Sequence, residues 1–268
     1  MSKNLFTGLI TLLFALRLLH FGPEIDAPHD WRQCDTAYYI LDFFRNGIDL
    51  LNPAVCWMGA SDTVALEFPL PEALVAMVWQ IFGESMPAAR LVFLVFFGVA
   101  VLYFYKIVNL LWGETTAQLS TLVYLSLPLS LFYSRAIHID FFVVAATHVM
   151  FYHYLKGVKE LAWKHMMWSS LAATLAFLIK APYAYYFVFP MLWYAEKQQA
   201  VMFVLRTGRL YLLAILPFWL WQEHAHYINN AMPDLGYIAH YRKMINNEHW
   251  YFGTWEQRLT PYPWKVLL

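Results

Sequence analysis

Apolar runs of near-membrane length recur along almost the whole chain, separated by short polar stretches. About 20 apolar residues in a helix cross the hydrocarbon core of a bilayer, so runs of this kind are typical of transmembrane helices. The pattern predicts about seven spans, over Leu5–Leu19, Leu91–Leu111, Thr115–Tyr133, Phe141–Leu155, Met166–Ile179, Ala181–Ala195 and Leu210–Trp221. We therefore expect an all-α polytopic transmembrane helical bundle that forms one domain over residues 1–268.

Residues 22–90 form a long mixed segment between the first two predicted spans. Within it, Thr36–Phe44 has apolar residues at helical spacing, which predicts an amphipathic helix along the membrane surface that ends at Asn46-Gly47. Leu74–Phe82 is apolar but too short to cross about 30 Å of hydrocarbon. We expect it to lie in the interface or to dip partly into the membrane.

The first apolar run has only Lys3 as a positive flank, and no convincing cleavage site follows it. We therefore expect an uncleaved helix and not a signal peptide. Arg17 interrupts the run near its outer end. Its stem is expected to lie along the apolar layer while its charged head reaches water.

The distribution of lysine and arginine in the short loops predicts the orientation, because cytoplasmic loops are enriched in these residues. With the N-terminus inside, the cytoplasmic loops carry most of these cations: Lys156, Lys159, Lys164, Lys197, Arg206 and Arg209. The opposite short loops carry Arg135 and Lys180. Residues 22–90 then become the first extracytoplasmic loop.

The composition supports a membrane protein, since 60% of residues are hydrophobic and only 13% are charged. A soluble domain typically carries about 25% charged residues. The formal net charge is zero, so no basic face suggests a nucleic-acid partner. The two cysteines, Cys34 and Cys56, lack zinc-site spacing and fall in one predicted outer loop, where a disulfide is an open alternative.

Under this topology, several charged residues from separate parts of the chain lie on the extracytoplasmic side: Asp30, Arg32, Asp35, Glu67, Arg135, Asp140 and Lys180. The densest stretch, His29–Ala37, has an ordinary alternative as an exposed polar loop. Charges at helix ends also anchor helices in the interface. Their joint placement on one face nevertheless favours a site for an anionic lipid headgroup.

The chemistry of such a site follows from its ligand. A sugar joined to a lipid phosphate already has a good leaving group, so the catalyst needs a carboxylate that takes a proton from the incoming hydroxyl or amine. It also needs cations to hold the phosphate as negative charge develops. A divalent metal bound by Asp35 or Asp140 is an open alternative for that second task.

Four stretches carry a resemblance: Trp31-Arg32-Gln33-Cys34-Asp35-Thr36-Ala37, Glu67-Phe68-Pro69-Leu70, the Ser134-Arg135 to Asp140 loop, and Ile179-Lys180-Ala181-Pro182. In this order they resemble the multi-pass C-type glycosyltransferases of the dolichyl-phosphate-mannose protein mannosyltransferase-like group (glycosyltransferase family 39-like). That group is also similar to the lipid A aminoarabinose transferases. The resemblance covers roughly residues 1–200.

The resemblance implies inverting transfer of a sugar from a polyprenyl-phosphate-linked donor to a lipid, glycan or protein acceptor, on the extracytoplasmic side of a bacterial inner or plasma membrane. It places Asp35 as the first-loop acidic residue, the base or a metal ligand, and Asp140 as the acidic residue of the second outer loop. Arg135 and Lys180 match phosphate contacts. Glu67 stands where relatives often carry a lysine-proline-proline pattern, so its role in substrate binding stays open.

Two further residues complete the predicted substrate site: Arg32, and Trp31 as a stacking surface for a sugar ring. A membrane transporter or flippase component is the competing function, but its charges would normally line a path near the bilayer midplane. Members of the resembled group usually continue well past this length, so we expect an incomplete transferase domain. A non-catalytic truncated remnant is therefore a third alternative.

Overall fold

A computed structural model of the chain describes residues 2–22, 24–25, 30–56 and 63–231. Over these ranges the regular secondary structure is helical, apart from one isolated antiparallel bridge between Ala54 and Thr63. The predicted all-α class is therefore confirmed.

The helices follow in chain order as α1 Lys3–Arg17, α2 Asp30–Asn46, α3 Leu70–Phe82, α4 Met86–Trp112, α5 Glu114–Ser126, α6 Pro128–Tyr133, α7 Asp140–Glu160, α8 Trp163–Lys180, α9 Pro182–Tyr185, α10 Val188–Lys197, α11 Val201–Thr207 and α12 Arg209–Asn230. A short 3-10 turn, Leu18–His20, continues α1. Most predicted elements are present, although α1 ends at Arg17, before the predicted Leu19, and α12 continues nine residues beyond the predicted Trp221.

From Asp30 onward the charged run is helical, so its interpretation as a polar loop is wrong. α2 begins at Asp30 and contains the predicted amphipathic helix Thr36–Phe44. It ends at Asn46, and the next residue, Gly47, has a φ of +98°. That left-handed conformation suits glycine and ends the helix where the sequence predicted.

Two predicted continuous spans are broken. Thr115–Tyr133 divides into α5 and α6 at Leu127, which is extended with φ −62° and ψ 136°. Proline at position 128 disfavours the helical conformation of the preceding residue, which explains the break. Ala181–Ala195 likewise divides into α9 and α10.

Among the described residues, α4 is the helix long and apolar enough to cross a membrane by itself. The pair α11 and α12 passes the same test only when taken together, across a bend of 42°. The count of about seven spans therefore stays a prediction. Large apolar side chains remain exposed on several helices, for example Leu102, Phe189 and Leu212.

The centre of the bundle is the antiparallel hairpin of α7 and α8, against which α4 and α12 pack. Small side chains line the α7–α8 contact, among them Ala146, Ala173 and Ala176. Because the two helices run in opposite directions, the first residue of α7, Asp140, and the last residue of α8, Lys180, lie at the same end.

A second cluster joins α2, α3 and α4 beside that end of the bundle. Ile40 and Phe43 of α2 are fully buried against Val75 and Trp79 of α3 and Phe93 of α4. This apolar contact fixes the face of α2 that turns toward the protein.

Arg17 differs from the prediction, because its head does not reach water. Its side chain is 1% exposed, and its guanidinium donates to Ser134 Oγ at 2.9 Å and to the Leu125 carbonyl at 2.7 Å. Carbonyls in the last turn of a helix lack partners within that helix, so the end of α5 offers acceptors. The buried charge therefore joins α1 to the α5–α6 region.

The segment before α3 is held by a distant helix, α12. Asn229 accepts a hydrogen bond from the Ala65 N–H at 3.0 Å and donates to the Ala65 carbonyl at 2.8 Å. Trp221 donates to the Leu66 carbonyl at 3.4 Å and packs edge-on against Phe68, with ring centroids 5.1 Å apart. These contacts fix the backbone on both sides of Glu67.

Candidate functional site

Arg32 joins the first turns of α2 to the segment before α3. Arg32 and Asp35 are three residues apart and therefore share one face of the helix, with Nη1 and Oδ2 separated by 3.7 Å. The other terminal nitrogen of Arg32 forms a hydrogen-bonded ion pair with Glu67. The side chains of Arg32 and Asp35 are only 13% and 8% exposed, so one cation serves two carboxylates in a largely buried position.

The electrostatics of this group favour its charged forms. Burial raises the pKa of Glu67, but Arg32 and Lys180 outweigh burial, so the pKa lies below the usual range. Burial lowers the pKa of Arg32, and the surrounding carboxylates more than reverse that effect. Glu67 is therefore ionised at neutral pH.

A second ion pair closes the same end of the α7–α8 hairpin. Lys180 Nζ lies 2.8 Å from Asp140 Oδ1, and His138 Nδ1 lies 3.4 Å from Asp140 Oδ2. The Tyr183 hydroxyl also hydrogen-bonds Asp140. Burial raises the pKa of Asp140, but Lys180 and then His138 outweigh it, so Asp140 is ionised well below neutral pH.

The two ion pairs are electrostatic neighbours. The Lys180 ammonium lowers the pKa of Glu67, which belongs to the first pair. Burial lowers the pKa of His138, and that pKa responds to Arg32 and Glu67 as well as to Asp140 and Lys180. Segments far apart in the sequence thus bring two cations and their carboxylates to one end of the bundle.

The remaining predicted residues lie around this group. Trp31 is 65% exposed at the start of α2, next to Arg32, and its role as a stacking surface stays a prediction. Arg135 is half-buried, burial lowers its pKa, and its carbonyl accepts a hydrogen bond from Arg90 at 2.9 Å. Its predicted contact with phosphate stays a prediction.

Several residues that shape the site were not predicted. Gln33 of α2 is fully buried and accepts a hydrogen bond from the Ile137 N–H at 3.2 Å, which ties α2 to the loop before α7. Arg90, at the start of α4 and 1% exposed, donates to the Gly22 carbonyl at 3.1 Å and to the Arg135 carbonyl. The sequence did contain a signal for this role of Arg90, because a single arginine at the start of a long apolar run needs buried hydrogen-bond acceptors.

The described residues do not fit a metal centre. Within those ranges, no group of three or more histidine, cysteine, aspartate or glutamate side chains is arranged to hold a metal ion. Asp35, Glu67 and Asp140 are each in contact with a cationic side chain. Cys34 and Cys56 are both exposed and free, so the structure contains no bridge between them.

A family model described as dolichyl-phosphate-mannose-protein mannosyltransferase matches residues 67–221, more than half of the chain. Glu67, Arg135, Asp140 and Lys180 lie inside the matched range, whereas α2 with Arg32 and Asp35 precedes it. No curated protein and no solved structure matches the chain.

Proposed function

Because the chain belongs to the dolichyl-phosphate-mannose-protein mannosyltransferase family, we propose that it transfers a sugar from a polyprenyl-phosphate-linked donor to an acceptor on the extracytoplasmic side of the membrane. The family is one of membrane glycosyltransferases, which establishes the general class. One observation supports the finer proposal: the Arg32–Glu67 and Lys180–Asp140 pairs lie at one end of the bundle.

In the proposed reaction, Asp35 takes the proton from the acceptor hydroxyl or amine. The freed electron pair attacks the anomeric carbon, and the bond from that carbon to the phosphate oxygen breaks. The polyprenyl phosphate leaves with the bonding electrons, and a single displacement from the opposite face inverts the anomeric configuration. The acceptor is a lipid, a glycan or a protein.

The contacts of the two aspartates suggest different roles. The Asp35 carboxylate lies 3.7 Å from Arg32, the cation that it shares with Glu67, which places a proton acceptor beside the charge proposed to hold the phosphate. Asp140 is held by Lys180 at 2.8 Å and by Tyr183. We assign Asp35 as the base, while Asp140 orients Lys180 toward the departing phosphate, where Arg32 supplies further positive charge.

Lys180 provides the test of phosphate binding. Lys180→Gln is expected to weaken the affinity of the full chain for a polyprenyl phosphate by about 10- to 100-fold, since a charge-assisted contact is lost. The affinity is measured on the purified protein in lipid nanodiscs, by titration with the polyprenyl phosphate. The matched control is Lys106→Gln. Lys106 lies near the C-terminal end of α4, away from the two ion pairs, and its ammonium lies 4.5 Å from the centre of the Tyr103 ring.

The control variant is expected to bind like the wild type. Equal affinity of Lys180→Gln and the wild type, or equal losses in both variants, contradicts the proposed role of Lys180. Failure of the wild type to bind any polyprenyl phosphate contradicts the proposed function itself.

A further inference from the structure

Glu72 is a buried carboxyl group that the proposed reaction does not use. It lies in the first turn of α3 and is 4% exposed. Its Oε2 atom is buried and has no hydrogen-bond partner among the described residues. An unpartnered buried carboxylate oxygen is costly when it carries charge, so its position requires an explanation.

The cations near Glu72 already contact other acceptors. Arg32 is the nearby cation that acts on it, and Arg32 is paired with Glu67 and Asp35. Tyr39 of α2 also lies within electrostatic range, but its hydroxyl donates to the Val64 carbonyl at 2.6 Å. From α4, which packs on α3, Arg90 donates to backbone carbonyls.

These surroundings favour the neutral acid. Burial raises the pKa of Glu72 to about 8. A hydrogen bond from its own backbone N–H and the charge of Arg32 oppose the effect, and the negative charge of Glu67 adds to it. If Glu72 were ionised, it would compete with Glu67 and Asp35 for Arg32. It would also add a negative charge to a site that must accept a phosphate.

We propose that Glu72 is a positioning residue of the donor site, protonated in the working enzyme, which leaves Arg32 with Glu67 and Asp35 and allows an anionic lipid phosphate to bind. The inference rests on the proposed function. A protonated Glu72 is neutral and has nearly the shape of glutamine, so Glu72→Gln should preserve its effect on the donor site.

The test measures the affinity of the full chain for a polyprenyl phosphate from about pH 6 to about pH 10, on both sides of the proposed ionisation. The wild type is expected to lose affinity about tenfold as pH rises and Glu72 ionises. Glu72→Gln should lack this loss and keep the affinity that the wild type has at low pH. Ionisation of the lipid phosphate affects the wild type and the variants equally, so it does not account for a difference between them.

The matched control is Glu84→Gln, because Glu84 is an exposed glutamate near the other end of α3, paired at 3.4 Å with Arg45. It should follow the wild type at every pH. A pH-dependent loss that persists in Glu72→Gln overturns the inference, and so does weaker binding by Glu72→Gln at low pH.

Infrared spectroscopy tests the protonation state without any ligand. The wild type at neutral pH should show the carbonyl stretch of a protonated carboxylic acid, lost on alkaline titration and missing from Glu72→Gln. Its absence from the wild type overturns the inference and leaves the proposed function standing. If the band is present but no form binds polyprenyl phosphate, the proposed function fails, and this inference with it.

Discussion

Replacing Asp35 with asparagine is expected to lower the rate of sugar transfer by about 100- to 10,000-fold, the usual contribution of a general base. Asparagine keeps the size of the side chain and an acceptor oxygen, but it cannot take the proton from the acceptor. Binding of the donor should change little, since the cations that hold the phosphate remain. The measurement compares the transfer rate and the donor affinity of the purified variant with those of the wild type.

The control for this substitution lies on the same helix. Asp42 accepts a hydrogen bond from Asn46 at 2.7 Å, and asparagine at position 42 keeps an acceptor oxygen there. Asp42→Asn should therefore transfer sugar at nearly the wild-type rate. If Asp35→Asn also transfers sugar at the wild-type rate, Asp35 is not the base.

Replacing Arg32 with glutamine is expected to destabilise the protein by about 3 kcal/mol and to abolish transfer, because removing one partner of a buried ion pair leaves its carboxylates poorly compensated. Glu67 and Asp35 both lose the charge of Arg32, while Lys180 still acts on Glu67, and their side chains are only 26% and 8% exposed. Reversible unfolding of the purified protein in mild detergent measures the change in free energy. The transfer assay measures the loss of activity.

The difference in free energy of unfolding between the wild type and Arg32→Gln should become smaller at acidic pH. The pKa of Glu67 is lower in the folded protein than in the unfolded chain. The stability that Glu67 gains from Arg32 is therefore fully present above the unfolded pKa and is lost as pH falls through the folded pKa. The difference in free energy of unfolding between the two proteins should therefore decrease below about pH 4.

Arg45→Gln is the matched control, since Arg45 lies on the same helix and its ion pair with Glu84 is exposed, at 60% and 48%. Exposed pairs contribute about 0–1 kcal/mol, so this variant should stay close to the wild type in stability and in activity. Similar destabilisation by Arg32→Gln and Arg45→Gln would contradict the conclusion that Arg32 stabilises the buried carboxylates of Asp35 and Glu67.

The helices and one half of the candidate site could be predicted from the sequence. Apolar periodicity placed α4, α7 and α8 within a few residues of their observed bounds. Two consecutive helices with a short connection form a hairpin, so the first residue of α7 and the last of α8 had to lie at one end. The contact between Asp140 and Lys180 follows from that arrangement.

The other half depends on contacts that no local pattern contains. Arg32 meets Glu67 across 35 positions, and the backbone beside Glu67 is fixed by Asn229, which is 164 residues from Ala65. Glu72 has an ordinary local explanation, because acidic residues are common in the first turn of a helix. The burial of its Oε2 atom without a hydrogen-bond partner becomes evident only once α2 has packed on α3.

In the proposed function, the cluster of Arg32, Glu67, Asp140 and Lys180 faces the extracytoplasmic side and binds a lipid phosphate there. Cys34 is exposed and precedes Asp35 on α2, and Cys56 is the one other cysteine of the chain. In a Cys56→Ser background, Cys34 therefore reports on the site. Burial and the neighbouring Asp30 and Asp35 raise the pKa of its thiol, so labelling should be fastest at alkaline pH.

The most direct measurement is the rate at which a membrane-impermeant maleimide alkylates Cys34 in right-side-out membrane vesicles, with and without a polyprenyl-phosphate-linked sugar. We expect alkylation without permeabilisation, and slower alkylation when the donor is bound. Alkylation only after the vesicles are opened, or a rate that the donor leaves unchanged, would contradict the account.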